Sequence, residues 1–189
     1  MEFLTDLWLP ILLSTIALQF SSFMAWVVLP HHFSDKKKLA QEERVMDLVR
    51  ELNLPPGNYM FPYGENKQDQ ASKEFQEKYN AGPTGCLDVY PKINMGANLA
   101  WTFVYFLVTA TVIGYITHIA CAPRADSTDF MKVFRFAGTV GILTYASSGI
   151  LNRIWFKARI TTDFIDGVVF GLILGLIFAA LYPYAAAAA

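Results

Sequence analysis

The chain has 189 residues, 54% of them hydrophobic and only 16% charged, with 15 Phe, 9 Tyr and 4 Trp. That is too apolar for an average soluble domain and fits a polytopic membrane protein, and a net charge of −1 offers no basic surface to nucleic acid. Its two cysteines, Cys86 and Cys121, lie in no CxxC or CxxCH spacing, so a disulfide framework, a zinc ribbon and covalent haem attachment are all without support.

Crossing a bilayer takes roughly 17–25 apolar residues in a helix. The first such run extends from Pro10 to Leu29, inside a segment 1–30. Pro10 is tolerable in an opening turn. Glu2 and Asp6 precede the run and no basic stretch does, so it reads as a retained helix rather than a signal peptide. His31 and His32 follow Pro30 at its end. Neutral imidazole is a metal ligand, which makes the pair a candidate metal site. Adjacent residues point in different directions, however, and no Cys or Glu stands at ligand spacing, so interfacial positioning is the simpler reading.

Residues 31–95 form a connection that holds nineteen of the 31 charged residues, nine positive and ten negative. In "EERVMDLVREL", Val45, Leu48, Val49 and Leu52 follow helical spacing and define one apolar face, ended by "LPPG". A second short helix is expected over "SKEFQEKY", with Ser72 as N-cap and Gly82-Pro83 as the stop. "NYMF" and "GCLDVY", bounded by Pro and Gly, suit a two-stranded ribbon. The expected unit is a small cytoplasmic α+β cap that leans on the helices or on a partner for stability.

Residues 96–184 carry three more apolar runs: Ala97 to Ala120, stopped by Pro123; Val133 to Leu151; and Phe164 to Tyr182. The fold class expected is therefore all-α integral membrane, with four transmembrane helices and the cap between helices 1 and 2. The alanines at 185–189 are a tail left out of the fold. Of the fifteen Lys and Arg, twelve lie in the 1–2 connection and the short 3–4 turn, and three on the other side. The positive-inside rule then puts the cap in the cytoplasm and both termini on the periplasmic side. Trp8, Trp26, Trp101, Trp155 and Tyr182 fall near helix ends, as in an aromatic belt.

Three features of these helices are candidates for chemistry or packing. His118, near the outer end of helix 2, is either a weak cofactor ligand or, more simply, an interfacial histidine bonded to a neighbour. Gly167, Gly171, Gly175 and Ala179 recur every fourth residue on helix 4, and Ala137, Gly138, Gly141 and Ser148 offer a counterpart on helix 3. Small residues in register let helix backbones approach closely; a flat pigment or a lipid tail is the other occupant for such a groove. Asp163 and Asp166 open helix 4, where negative charge suits the helix dipole, and Arg153 closes helix 3. In an antiparallel hairpin turning near 158–159, Arg153 comes level with them, so an ion pair is expected. No catalytic residue is assigned: nucleophile elbows, HExxH and phosphate-binding glycine loops are all absent.

The stretches "LPHH" (29–32), "PPGNYMFP" (55–62), "AGPTG" (81–85), "MGANL" (95–99), "VFRFAG" (133–138), "RIWFK" (153–157) and "DGVVFGL" (166–172) occur in order along most of the chain. In them the sequence resembles a group of small bacterial four-helix membrane proteins with no known activity. It departs from that group in lacking a tryptophan after "LPHH", where Phe33-Ser34-Asp35-Lys36 stand, and in ending its last helix "ALYP" (180–183). The resemblance implies a bacterial inner membrane and four spans. The function expected is a non-catalytic accessory subunit of a respiratory or photosynthetic membrane complex, partnered by other membrane subunits and lipid. The alternative is a small membrane enzyme or carrier with a site at the cytoplasmic helix ends. No cofactor is required, and bound lipid or pigment is compatible with either.

This topology sets an outcome for thiol labelling. On intact cells a membrane-impermeant thiol reagent misses Cys86 and reaches Cys121 if that thiol is uncovered, and no intramolecular disulfide forms. Ready labelling of Cys86 in sealed cells would invert the orientation.

Overall fold

Three helices of the computed structural model, which describes residues 2–125, 127–157 and 159–184, are long and apolar enough to cross a membrane: Glu2–Val28, Met95–Cys121 and Thr161–Leu181. The first is α1 (Glu2–Phe23), prolonged by a π-helical turn over Met24–Val28 and followed by a 3₁₀ turn over Pro30–Ser34. The others are α5 (Met95–Cys121) and α8 (Thr161–Leu181). Between them lie α6 (Phe130–Ala146) and α7 (Ile150–Phe156). The alanine tail at 185–189 falls outside the described residues.

The third expected span, Val133 to Leu151, is not one helix. It is α6, 17 residues long, then a break at Ser147-Ser148-Gly149, then the seven residues of α7. Ser147 donates to the carbonyl of Leu143 and Ser148 to that of Tyr145. Threonines make the same hydroxyl bond inside unbroken helices, so what sets this point apart is the conformational freedom of glycine. At 1.5 Å per residue α6 is roughly 26 Å long, against a hydrocarbon core of roughly 30 Å. Asp129 caps its start, accepting from the Lys132 amide at 2.7 Å.

The chain divides into two compact units, one made of residues 1–37 and 96–189 and the other of residues 38–95. In the first unit, α6 and α8 are the most extensively packed elements, and α1 also packs on α8. Leu7 and Leu18 of α1, Ile113 of α5, Val133 of α6 and Leu174 and Phe178 of α8 are fully shielded in a single apolar core. The α6–α8 contact is made backbone to backbone. A Cβ placed on Gly171 would stand 2.3 Å from the Ile142 nitrogen, one on Gly167 2.5 Å from the Ala146 Cα, and one on Gly175 2.7 Å from the Gly138 Cα. Gly141 meets the Gly171 Cα in the same way at 2.9 Å, and Ala179 is buried in the core. Such proximity gains dispersion and weak Cα–H contacts along both helices, which lipid tails do not compete for.

In the second unit, α2 (Glu42–Glu51), α3 (Lys67–Ala71) and α4 (Lys73–Ala81) accompany β1 (Gly57–Phe61) and β2 (Gly85–Val89). The strands are antiparallel, with Tyr59 opposite Leu87 and Phe61 opposite Gly85. Ser72 caps α4 by accepting from the Phe75 amide at 3.1 Å, and Phe75 and Tyr79 stack one turn apart. The apolar side of α2 stays uncovered: Leu48 and Leu52 are each more than half exposed. Cys86 is exposed in β2 and Cys121 is buried at the end of α5, so the labelling outcome above turns on Cys86.

The α6–α8 geometry ranks substitutions that look alike in sequence. Gly171→Ala and Gly167→Ala force a Cβ into opposing backbone and lower stability by roughly 1–3 kcal/mol, the usual overpacking cost. Gly138→Ala has 3.7 Å to its nearest non-neighbouring atom and is near neutral. Unfolding of each variant in mixed micelles checks the order; equal effects at 171 and 138 would refute close backbone packing.

Candidate functional site

Local chain chemistry brings His31 and His32 together. The Leu29 amide bonds the Met24 carbonyl at 2.9 Å, widening the last turn of the first span to π geometry. π-turns of this kind are often found at functional sites. Leu29 is extended, as a residue before proline prefers, and Pro30 starts the 3₁₀ turn, where its missing N–H costs nothing. The turn supplies the shape that adjacent histidines need in order to converge. Their ring centroids are 4.3 Å apart with the planes tilted by 42°.

Both rings meet Asp166, in the second turn of α8. His31 Nε2 lies 3.1 Å from Asp166 Oδ1, and His32 Nε2 lies 2.9 Å from Oδ2. The other nitrogen of His32, Nδ1, is 2.6 Å from Asp35 Oδ2. The Thr162 hydroxyl donates to that same oxygen at 2.7 Å, and Arg159 donates to the Ser34 carbonyl. The start of α8 is thereby tied to the 3₁₀ turn at several points. Trp26 stacks flat on the His32 ring, with centroids 3.8 Å apart and an 11° interplanar angle.

His32 is the buried centre of this cluster, its side chain 5% exposed against 31% for His31 and 13% for Asp166. With a carboxylate at each ring nitrogen, the imidazole donates from both when protonated. Burial alone pushes its pKa down, but the bonds to Asp166 and Asp35 outweigh it and carry the value above that of an ordinary histidine. Asp35 moves the other way. The Thr162 hydroxyl and the His32 ring hold its carboxyl below the usual range, against a partial desolvation that pushes it up.

Two clefts flank Asp166. One, of about 610 Å³, is lined mostly by apolar side chains, among them Phe20, Met24, Leu29, Ile165 and Val169, and also by His31 and Asp166. The other, of about 330 Å³, is more polar and includes Tyr145, Asn152, Asp163 and Asp166. The Tyr145 hydroxyl in its wall is 2.8 Å from Thr109.

Asp166 therefore bonds both histidines that follow the first long helix. Arg153 sits on the separate helix α7. There its guanidinium donates to the Lys157 carbonyl at 3.3 Å. Asp163 lines the polar cleft one turn before Asp166. At the opposite end of the helices, His118 lies 3.5 Å from Asp6, which also accepts a two-pronged bond from Arg124 at 2.6 and 3.1 Å. Phe3 stands edge-on to the His118 ring. The glycines of α8 are occupied by α6.

Asp35, Thr162 and Trp26 carry no signal in the sequence as site residues. Asp35 lies three residues after His32, a spacing that only a tight helical turn converts into a contact. No family model, no curated protein and no solved structure matches this chain.

Proposed function

We propose that this chain is a four-span protein of a bacterial inner membrane, with both termini periplasmic, that acts as a small membrane enzyme or carrier for a lipid-like amphiphile. Its site is the histidine–aspartate cluster at the cytoplasmic helix ends. The observation that carries the reading is the 610 Å³ groove, lined mostly by apolar side chains with His31 and Asp166 among them. Ligand sites combine apolar walls with a few placed polar groups. Here the walls belong to two membrane-spanning helices, so the apolar part of a bilayer lipid reaches the groove by lateral diffusion and its headgroup meets the cluster. The shorter α6 counts as the fourth span in this proposal, held in the membrane by its glycine contact with α8 rather than by its length. GxxxG-type packing is thus part of the reading, and neither pigment nor soluble cofactor enters it.

A second reading is favoured by a separate observation. Among the described residues of 38–95 only Gly64 is buried, while Leu48, Leu52, Tyr63 and Tyr79 are each more than half exposed. A unit with so little interior is stabilised by covering those side chains, as an accessory subunit of a larger membrane complex would do against its neighbours.

Purification in mild detergent separates the two. The enzyme or carrier runs without stoichiometric protein partners and retains a lipid that mass spectrometry identifies. Val169→Trp fills the groove and lowers that retention roughly tenfold or more, since each well-buried apolar side chain contributes ~1.5–3 kcal/mol. Retention unchanged by Val169→Trp would reject the groove, and a fixed-ratio protein partner would favour the subunit.

A further inference from the structure

We propose that His31, His32 and Asp166 bind one divalent transition-metal ion, zinc being the ion their donors suit, with Asp35 positioning His32 from the outer side. The inference deepens the reading of this cluster as the polar part of the groove and rests on it only in taking the cluster for a ligand site.

The donors are already gathered. One ligand atom from each of the three residues lies within 4.8 Å of the others, and the two nitrogen-to-carboxylate separations are 2.9 and 3.1 Å. Ligands bound about 2.0–2.2 Å from one ion, at angles between octahedral and tetrahedral, stand roughly 2.9–3.5 Å apart. The two imidazole-to-carboxylate separations thus already match edges of a coordination polyhedron, and an ion would draw the two imidazole nitrogens to it from within 4.8 Å of each other. Two imidazoles and one carboxylate are a borderline donor set that suits zinc and its first-row neighbours better than magnesium or calcium, which take oxygen.

The outer contacts point the same way. A metal-binding histidine usually passes its second N–H to a carboxylate, which fixes the ring and strengthens its donor nitrogen. His32 does this with Asp35 at 2.6 Å, and Asp35 is itself steadied by Thr162. Trp26 holds the plane of the same ring. The ion replaces the proton between His32 Nε2 and Asp166, while Nδ1–H stays on Asp35. Two nearby carboxylates, Asp166 and Asp35, offset its charge. Three protein ligands leave at least one position open, the arrangement of catalytic rather than structural zinc. His31 and Asp166 also line the groove, so the open position suits an anionic headgroup oxygen of the amphiphile.

The test uses the full-length chain in detergent, stripped with chelator and titrated with Zn²⁺ or Co²⁺, with metal content measured after gel filtration. Wild type is expected to hold one ion per chain, and bound Co²⁺ to show visible d–d absorption of a low-coordinate site. Binding is expected to be lost in His32→Ala and Asp166→Asn, weakened about 10–100-fold in Asp35→Asn, and unchanged in His118→Ala. Absence of bound ion in wild type, or equal binding in His32→Ala and Asp166→Asn, overturns the proposal. Should those two variants not fold, zinc-edge X-ray absorption of the wild type decides: two imidazole ligands support the site and fewer overturn it. One ion per chain without any retained lipid would sink the groove reading and leave the metal site standing; retained lipid without an ion would do the reverse.

Discussion

The approach of Gly171 to Ile142 is the constraint on which the rest of the membrane unit depends. Without side chains at Gly167, Gly171 and Gly175, α8 lies against the backbone of α6, and neither helix has room to rotate past the other. Asp166 directly precedes the first of these glycines. Its direction is therefore set by a packing contact in which it takes no part. Turning α8 to move the carboxylate would drive a neighbouring residue into Ala146 or Tyr145. A rigid helix pair of this kind is a suitable platform for a site, because binding geometry depends on elements that do not yield.

The other half of the cluster comes from an irregularity. A regular α-helix continued through residues 24–34 would spread His31 and His32 about 100° apart around its axis. The π-turn, the extended Leu29 and the 3₁₀ turn from Pro30 fold that stretch back. The reward is electrostatic. His32 is nearly buried, and a buried charge is costly unless paired; it has a carboxylate at each nitrogen, and Trp26 covers its face. The arrangement joins the first span to α8 at one end, as Asp6, His118 and Arg124 join the first span to α5 and its following turn at the other. Between these charged ends lies the apolar core, with Ser14 and Thr15 of α1 buried beside it.

Periodicity and length were enough to find the three long helices, because a mainly apolar run of roughly 17–25 residues leaves few alternatives to a span. Local signals in the 38–95 segment were equally legible: the Ser72 cap, the Gly82-Pro83 stop and the turn-bounded strands each depend on residues adjacent in sequence. The break after Ala146 has no signal of its own in the sequence, since Ser147, Ser148 and Gly149 are all tolerated inside membrane helices, and Thr15, Thr117 and Thr144 make the same hydroxyl-to-carbonyl bond within unbroken helices.

By itself, then, the sequence determined the apolar helices, the small-residue stripe on α8 and the presence of an unusual histidine pair after a proline. These are properties of spacing, and spacing is all that composition and periodicity record. Which groups meet was decided only in three dimensions. Asp166 lies 134 residues from His32, and no local rule connects them. Their contact arises because glycine-to-backbone packing fixes one side of the pair while a π-turn and a 3₁₀ turn deliver the other.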